Sequence, residues 1–165
     1  METVIERIRF EDRELLGDMP QKYQHEIRRE SFPAFAVDDA VSIDFPNFDN
    51  YWNDSEYVPF FIKADGEIAG FVFVDKYFWV LSKAERHYNV SDIYVREEYR
   101  GKGIGKAAML ALLALFKGVW EVKPLCNSKK AETFWERTLK AYSEETFKAY
   151  YSGPYKRPIF TLDAG

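Results

Sequence analysis

The sequence contains few cysteines and histidines: one cysteine, Cys126, and two histidines. A lone cysteine excludes a disulfide framework and a cysteine-rich zinc site, so we predict no metal. The longest apolar run, within residues 104–116, is shorter than the ~20 residues that a membrane-spanning helix requires. The first residues mix charges and lack the apolar core of a signal peptide. These absences predict a cytoplasmic protein without a membrane partner.

An excess of positive charge is also missing. Acidic side chains outnumber basic ones by 27 to 23, and the formal net charge is −4. Proteins that bind nucleic acid usually carry a basic surface, so we predict no nucleic-acid partner, whereas a cationic ligand is compatible with this charge. With 165 residues, 47% of them hydrophobic, the chain can form an apolar core. No repeat or linker divides it, which predicts a single domain over residues 1–165.

The rest of the sequence is organised around a glycine-rich stretch, residues 99–106. It follows a predicted strand over residues 88–95 and precedes a predicted helix over residues 104–116. At the start of a helix the first N–H groups lack intrahelical partners and attract anions, and glycines leave room for a ligand. The stretch therefore predicts a phosphate-binding loop, with a flexible connection that has a basic, solvated rim as the alternative.

Its spacing excludes two common phosphate loops. A Walker loop needs four residues between its glycines and then Gly-Lys-Ser/Thr, but here Ala107 follows Lys106 and only three residues separate Gly101 from Gly105. A dinucleotide fingerprint needs a glycine where Lys106 stands. The remaining pattern, Arg-x-x-Gly-x-Gly from Arg100, resembles the coenzyme A signature of the GNAT superfamily of acyl-CoA-dependent N-acyltransferases.

The predicted order of elements is also that of the GNAT family. We predict strands over residues 4–10, 57–63, 67–76, 88–95, 119–125, 146–151 and 158–162, and helices over 11–30 (interrupted at Pro20), 104–116 and 127–140. The resemblance implies an α/β (α+β) fold with a mixed, mostly antiparallel seven-stranded sheet flanked by helices. Its fourth and fifth strands would splay apart to admit the pantetheine arm of coenzyme A. Pro124 fits such a splay, or an ordinary edge strand.

A second family motif, Asn-x-x-x-Ala-x-x-Phe, is present from Asn127 to Phe134. The resemblance implies acetyl-CoA as co-substrate, bound by Ile93, Tyr94, Val95, Arg100, Gly101, Lys102, Gly103, Ile104, Gly105, Lys106, Asn127, Ala131 and Phe134. The family usually places a tyrosine after this phenylalanine, where it protonates the departing thiolate. Here the residue is Trp135, whose indole does not titrate, so Tyr142 on the same helix becomes the candidate general acid.

The resemblance implies direct transfer of an acetyl group to a primary amine of a small molecule or peptide. The amine must first lose a proton, and Asp92 on the fourth predicted strand is the candidate base. Strand parity predicts that Asp92 shares a face with Val90 and Tyr94. The alternative is a solvated carboxylate, or one paired with Arg96 or Arg100. Glu85 and His87 are reserve candidates, and Cys126 lacks a paired base, which favours a buried cysteine at a strand end.

Two functional classes remain open: an active N-acetyltransferase, and a catalytically silent coenzyme A-binding sensor or interaction module, because the usual tyrosine is missing. A later variable connection carries Trp79. Residues 31–56 are irregular and rich in acidic and aromatic residues. They predict an acceptor-binding wall that attracts a cationic amine, or alternatively a surface loop whose aromatics fill a small second core. Homodimers are common in the family, and the oligomeric state stays open.

Overall fold

The computed structural model describes residues 1–77, 86–154 and 156–165, so Trp79 and Glu85 lie outside the described residues. Its strands are β1 Thr3–Arg7, β2 Val58–Ala64, β3 Glu67–Asp75, β4 His87–Val95, β5 Val119–Val122, β6 Lys148–Ser152 and β7 Arg157–Asp163. Its helices are α1 Met19–Ser31, α2 Asn50–Asn53, α3 Ile104–Leu115 and α4 Lys129–Tyr142. Among the described helices, none is both long and apolar enough to span a bilayer.

The strands form one seven-stranded sheet in the order β1-β2-β3-β4-β5-β7-β6. Only β4 and β5 pair in parallel, and every other neighbouring pair is antiparallel. This arrangement confirms the predicted mixed, mostly antiparallel sheet with flanking helices.

The parallel pairing of β4 with β5 is short. It runs from His87 opposite Val119 to Asn89 opposite Glu121, after which β4 continues to Val95 while β5 ends at its next residue. The two strands therefore part at their C-terminal ends, as predicted, and we call the space between them the gap. The predicted fifth strand was too long: Pro124 lies beyond the end of β5, where no ladder N–H is needed.

The first helical stretch is broken, but not at the predicted residue. A 3-10 helix over Phe10–Leu16 ends at Gly17, whose φ of 56° and ψ of −129° suit glycine alone. Pro20 lies in the first turn of α1, where its missing N–H is tolerated. The break therefore precedes Pro20, and β1 ends at Arg7 rather than at residue 10.

The sheet separates two apolar cores. The first lies between the sheet and the pair α3 and α4, and includes Val72, Val90, Leu112, Trp120, Trp135 and Leu139. Trp135 is 5% exposed, so its side chain packs in this core. The second core lies on the α1 side of the sheet and includes Leu16, Met19, Tyr51, Phe61, Phe71, Phe73 and Tyr94.

Aromatic side chains of residues 31–56 contribute to the second core. The rings of Phe45, Phe48 and Trp52 lie with their centroids 5.8, 6.2 and 6.5 Å from that of Phe73. These rings pack against one another and fill a second core, as the alternative predicted, and the acceptor-binding role of the segment stays a prediction. Phe35, in a short 3-10 turn, is 68% exposed and takes no part in this packing.

Candidate functional site

A β-bulge lies in β4 where the gap begins. In the ladder between β3 and β4, Phe73 pairs with Asp92, but the next residue of β3 pairs with Val90, so Ser91 is an extra residue. The bulge reverses the side-chain alternation: Val90 packs in the core under α3, whereas Tyr94 packs in the core under α1. The predicted shared face of Asp92 and Tyr94 is correct, and the predicted shared face with Val90 is wrong.

Asp92 projects toward α1, where its side chain is partly buried. The hydroxyl of Tyr23 donates a hydrogen bond to its Oδ1 at 3.0 Å. Burial raises the pKa of Asp92 to about 6, although the hydrogen bonds from Tyr23 and Ser91 lower it. The Ser91 hydroxyl also contacts that of Tyr51. Asp92 is thus a carboxylate that can hold and release a proton near neutral pH.

The Tyr23 bond gives a testable prediction for this carboxyl group. Tyr23→Phe removes a donor that stabilises the ionised form and leaves the burial in place, so the pKa of Asp92 should rise further, by about one unit. A titration followed by NMR at the Asp92 carboxyl carbon measures the change. Tyr88→Phe is the matched control, because Tyr88 stacks against Trp120 in the other core. An unchanged pKa in the Tyr23 variant would contradict this assignment.

The glycine loop leads directly into α3. Gly101 and Gly103 have φ values of 73° and 77°, the left-handed region that favours glycine. The Ala107 N–H makes the first helical bond, 2.9 Å to the Gly103 carbonyl. The N–H groups of the three preceding residues therefore have no intrahelical partner and can donate to an anion. A Cβ on Gly105 would lie 3.4 Å from the Phe134 ring, so α4 lies against the first turn of α3 at this residue.

A basic cavity of about 580 Å³ adjoins this loop. It is lined by Lys106, Lys129, Lys130, Thr133, Phe134, Arg137 and Thr138. Lys129 pairs with Glu132 at 3.1 Å. Basic groups around an aromatic ring suit a phosphorylated ligand. Lys130 and Arg137 were not predicted as site residues, although they lie four residues before and three residues after Phe134, on the same face of α4.

Two predicted side-chain contacts of the loop are satisfied within the protein. Arg100 donates through Nη2 to both carboxylate oxygens of Glu26, at 2.8 and 2.9 Å, and through Nε to the Val95 carbonyl at 2.8 Å. Lys102 donates to the Glu98 carbonyl at 2.8 Å. The Arg100 guanidinium thus ties the loop to α1, and contact of Arg100 with a ligand stays a prediction.

The far side of the gap is formed by the segment between β5 and α4. Asn127 has a φ of 57°, and its Nδ2 donates to the Ser31 carbonyl at 3.2 Å. Ser128 begins α4 by accepting from the Ala131 N–H at 3.1 Å, and its hydroxyl donates to the Glu30 carboxylate. The last turn of α1 therefore rests on the start of α4.

Helix α1 crosses the gap as a result. Near its start Tyr23 is bonded to Asp92 on β4, in its middle Glu26 holds the glycine loop, and at its end Ser31 meets Asn127 beyond β5. The gap thus has β4 on one side, the β5–α4 segment on the other and α1 across it. Of the predicted side chains, the structure brings Asp92, Asn127 and the glycine loop together here.

Tyr142 is not brought to the gap. Its hydroxyl lies 3.3 Å from the carbonyls of Leu113 and Ala164 and accepts a hydrogen bond from Lys117 at 2.7 Å. These contacts are at the C-terminal end of α3, whereas the glycine loop is at its N-terminal end. The structure therefore places the candidate general acid Tyr142 away from the gap and from Asp92.

Only one of the two reserve candidates, His87, falls within the described residues. The Nε2 of His87 is 2.8 Å from the Lys76 carbonyl, at the start of β4. Cys126 is partly exposed and follows β5, so the expected buried strand-end position was wrong. Within the described ranges, no three His, Cys, Asp or Glu residues lie close enough together to hold a metal ion.

Comparisons with known proteins agree with this architecture. Residues 22–150 match the model of the Acetyltransferase (GNAT) family. No curated protein matches the sequence closely enough to count as a relative. The GNAT domain of PAT from S. lividans is 14% identical, with a TM-score of 0.65 over 96% of this chain and 89% of that one.

Two further solved structures have similar folds. An acetyltransferase of the GNAT family from Staphylococcus aureus Mu50 is 13% identical, with a TM-score of 0.64 over 99% of this chain and 100% of that one. The PaiA N-acetyltransferase from Thermoplasma acidophilum, solved in complex with coenzyme A, is 13% identical, with a TM-score of 0.62 over 99% of both chains. At such identities the likeness concerns the fold, and the family match covers most of the chain. The protein therefore belongs to the GNAT family of acetyltransferases.

Proposed function

We propose that this protein is an N-acetyltransferase that moves an acetyl group from acetyl-CoA directly to a primary amine of a small molecule or peptide. The observation that carries the proposal is the position of Asp92. Its carboxylate, with a pKa of about 6, lies on β4 at the gap and is joined to α1 through Tyr23. A base in this position can take the proton that a protonated amine must lose before it attacks a thioester.

The residues around the gap fit coenzyme A. The N–H groups at the start of α3 suit its pyrophosphate, and Lys106, Lys130 and Arg137 of the basic cavity suit the phosphates of its nucleotide end. The β4 backbone from Ile93 to Val95 borders the gap after pairing with β5 has ended, so it can bond the pantetheine arm. When bound, acetyl-CoA supplies the acetyl group activated as a thioester.

The chain's own contribution to the reaction is proton transfer and positioning. Alkyl amines have pKa values of roughly 8 to 10, so most of the acceptor is protonated at neutral pH. The Asp92 carboxylate removes that proton before the amine attacks and passes it to solvent. Once the C–N bond has formed, the same carboxylate takes the second N–H proton that the new amide must lose, while the backbone N–H groups of β4 polarise the thioester carbonyl. The C–S bond then breaks, and its electron pair stays on sulfur.

A cationic acceptor is supported by a second cavity of about 550 Å³ on the α1 side of the sheet. Its lining includes Asp44 and Asp49, and also Phe45, whose ring centroid is 6.1 Å from that of Tyr23. Because Tyr23 is bonded to Asp92, this ring contact connects the wall of the acidic cavity to the proposed base. Carboxylates in that place attract an ammonium group.

A second candidate is a coenzyme A-binding module without transferase activity. It is favoured by the burial of Trp135 in the core and by the position of Tyr142 away from the gap, since neither can protonate a departing thiolate. The two candidates share the coenzyme A site and differ in turnover.

The first test is thermal unfolding of the protein with increasing acetyl-CoA. A ligand that binds only the folded state should raise the midpoint in a concentration-dependent way, by about 2.7 kcal/mol of stability at a hundredfold excess over its dissociation constant. A thiol-release assay with polyamines, aminoglycosides and peptide N-termini then separates the candidates. Turnover supports the transferase, whereas binding without turnover supports the silent module. No stabilisation by acetyl-CoA contradicts both.

A further inference from the structure

One buried hydroxyl group at the gap has no partner. Ser31, the last residue of α1, is 3% exposed, and no hydrogen bond to its Oγ exists within the described part of the chain. Burying a hydroxyl without a partner is unfavourable, so a serine here needs a reason. One other buried side-chain atom of the described residues lacks a partner, the Nε2 of His25. His25 lies on another face of α1, and its ring points toward Asp39.

The position of Ser31 on α1 places it over the gap. Tyr23, Ile27 and Ser31 follow one another at four-residue intervals and so share a face of the helix. At one end of this face Tyr23 is bonded to Asp92 on β4, and at the other the Ser31 carbonyl is bonded to Asn127 beyond β5. Ser31 therefore lies at the far side of the gap from the proposed base.

We propose that the Ser31 hydroxyl donates a hydrogen bond to the sulfur atom of coenzyme A in the gap. This inference rests on the proposed function, because it requires the pantetheine arm to enter there. As the C–S bond breaks, the electron pair goes to sulfur, and a hydroxyl that donates to the resulting thiolate stabilises it.

The proton stays on the Ser31 oxygen throughout, because an alcohol is a far weaker acid than a thiol. The two protons that the amine loses, one before the attack and one after the C–N bond has formed, go in turn to Asp92 and from there to solvent, and sulfur leaves as a thiolate. Ser31 thereby supplies the stabilisation that neither Trp135 nor Tyr142 can give. No titrating tyrosine is then needed on α4.

The thiol of coenzyme A itself is the probe for this proposal. Bound coenzyme A is titrated with base while the ultraviolet absorbance of its thiolate is followed, in the wild type and in Ser31→Ala. Loss of the donor should raise the pKa of the bound thiol by about one unit, a tenfold change in the thiolate equilibrium. Ser31→Thr retains a hydroxyl and should restore the wild-type pKa.

Two controls separate this role from a structural one. Ser31→Ala should leave the unfolding midpoint of the ligand-free protein unchanged or raise it, because it removes an unpartnered buried group. Thr146→Val removes a hydroxyl that donates to the Asp163 carbonyl at 2.8 Å, away from the gap, and should leave the thiol pKa unchanged. Equal thiol pKa values in wild type and Ser31→Ala, with coenzyme A bound to both, would overturn the role of Ser31 alone. A wild type that does not bind coenzyme A would overturn the proposed function as well.

Discussion

Asp92→Asn should lower the rate of acetyl transfer by about 10²- to 10⁴-fold and leave the affinity for acetyl-CoA nearly unchanged. Asparagine has almost the same shape and can still accept the 3.0 Å hydrogen bond from Tyr23, but it cannot take a proton from the amine. Steady-state rates at saturating acetyl-CoA and a calorimetric titration of the ligand measure the two quantities. An undiminished rate in this variant would eliminate Asp92 as the base.

The pH dependence provides a second measurement on the same variant. In the wild type the rate should rise with pH through about 6, where Asp92 loses its proton. Asp92→Asn should lose this inflection. A profile that is the same in both proteins would show that another group controls the rate.

The free energy of unfolding of Asp92→Asn should rise, although its rate of acetyl transfer falls. The pKa of Asp92 is raised from 3.8 to about 6 in the folded protein, so between these values the folded state binds more protons than the unfolded state. The stability that the protonated Asp92 carboxyl contributes is complete below the pKa of the unfolded state. It is lost as pH rises through the pKa of the folded state. At neutral pH the ionised group then costs up to about 3 kcal/mol. Asp92→Asn should therefore raise the free energy of unfolding at pH 7.

Asp75→Asn is the matched control for both effects. Burial also raises the pKa of Asp75, whose Oδ1 accepts hydrogen bonds from the Asn89 side chain and the Tyr77 N–H. It lies at the end of β3, where β4 and β5 are still paired, and not at the gap. The control variant should gain stability at neutral pH without a large loss of rate. If Asp75→Asn lost as much rate as Asp92→Asn, the rate loss in both variants would result from a general disturbance of the sheet.

The sequence predicted those parts of the fold that depend on local patterns. The alternation of β2 and β3 around the Asp65-Gly66 turn, the apolar face of α3 and the glycines before it are all contained in short stretches of chain. Boundaries were less accurate where two local signals compete. Pro20 predicted a break in the first helical stretch, but the break occurs three residues earlier, because of the backbone conformation of Gly17.

The candidate site could be predicted only in part, because its polar contacts join distant segments. Tyr23 and Asp92 are 69 residues apart, and Glu26 and Arg100 are 74 apart. Nothing in a single sequence pairs such residues. The bulge at Ser91 was also hidden, since this residue is compatible with regular alternation and only the register with β3 makes it extra. One inserted residue moved Val90 to the other core.

Gly103→Glu should weaken coenzyme A binding by at least about 100-fold, because the carboxylate would stand among the N–H groups that attract the pyrophosphate. The variant also carries backbone strain, since Gly103 has a φ of 77°. Gly66→Glu is the matched control. Gly66, in the turn between β2 and β3, has a φ of 85°, and a Cβ on either glycine meets no atom within 4 Å.

Both variants introduce the same charge and a similar strain, and both should lose about 1 kcal/mol of stability. Only Gly103→Glu should lose affinity for coenzyme A in a calorimetric titration, and the difference should shrink as salt screens the charges. Equal affinities in the two variants would mean that the loop does not hold the phosphates. Because strain is common to the pair, the difference in affinity between them reports on the anion site at the start of α3.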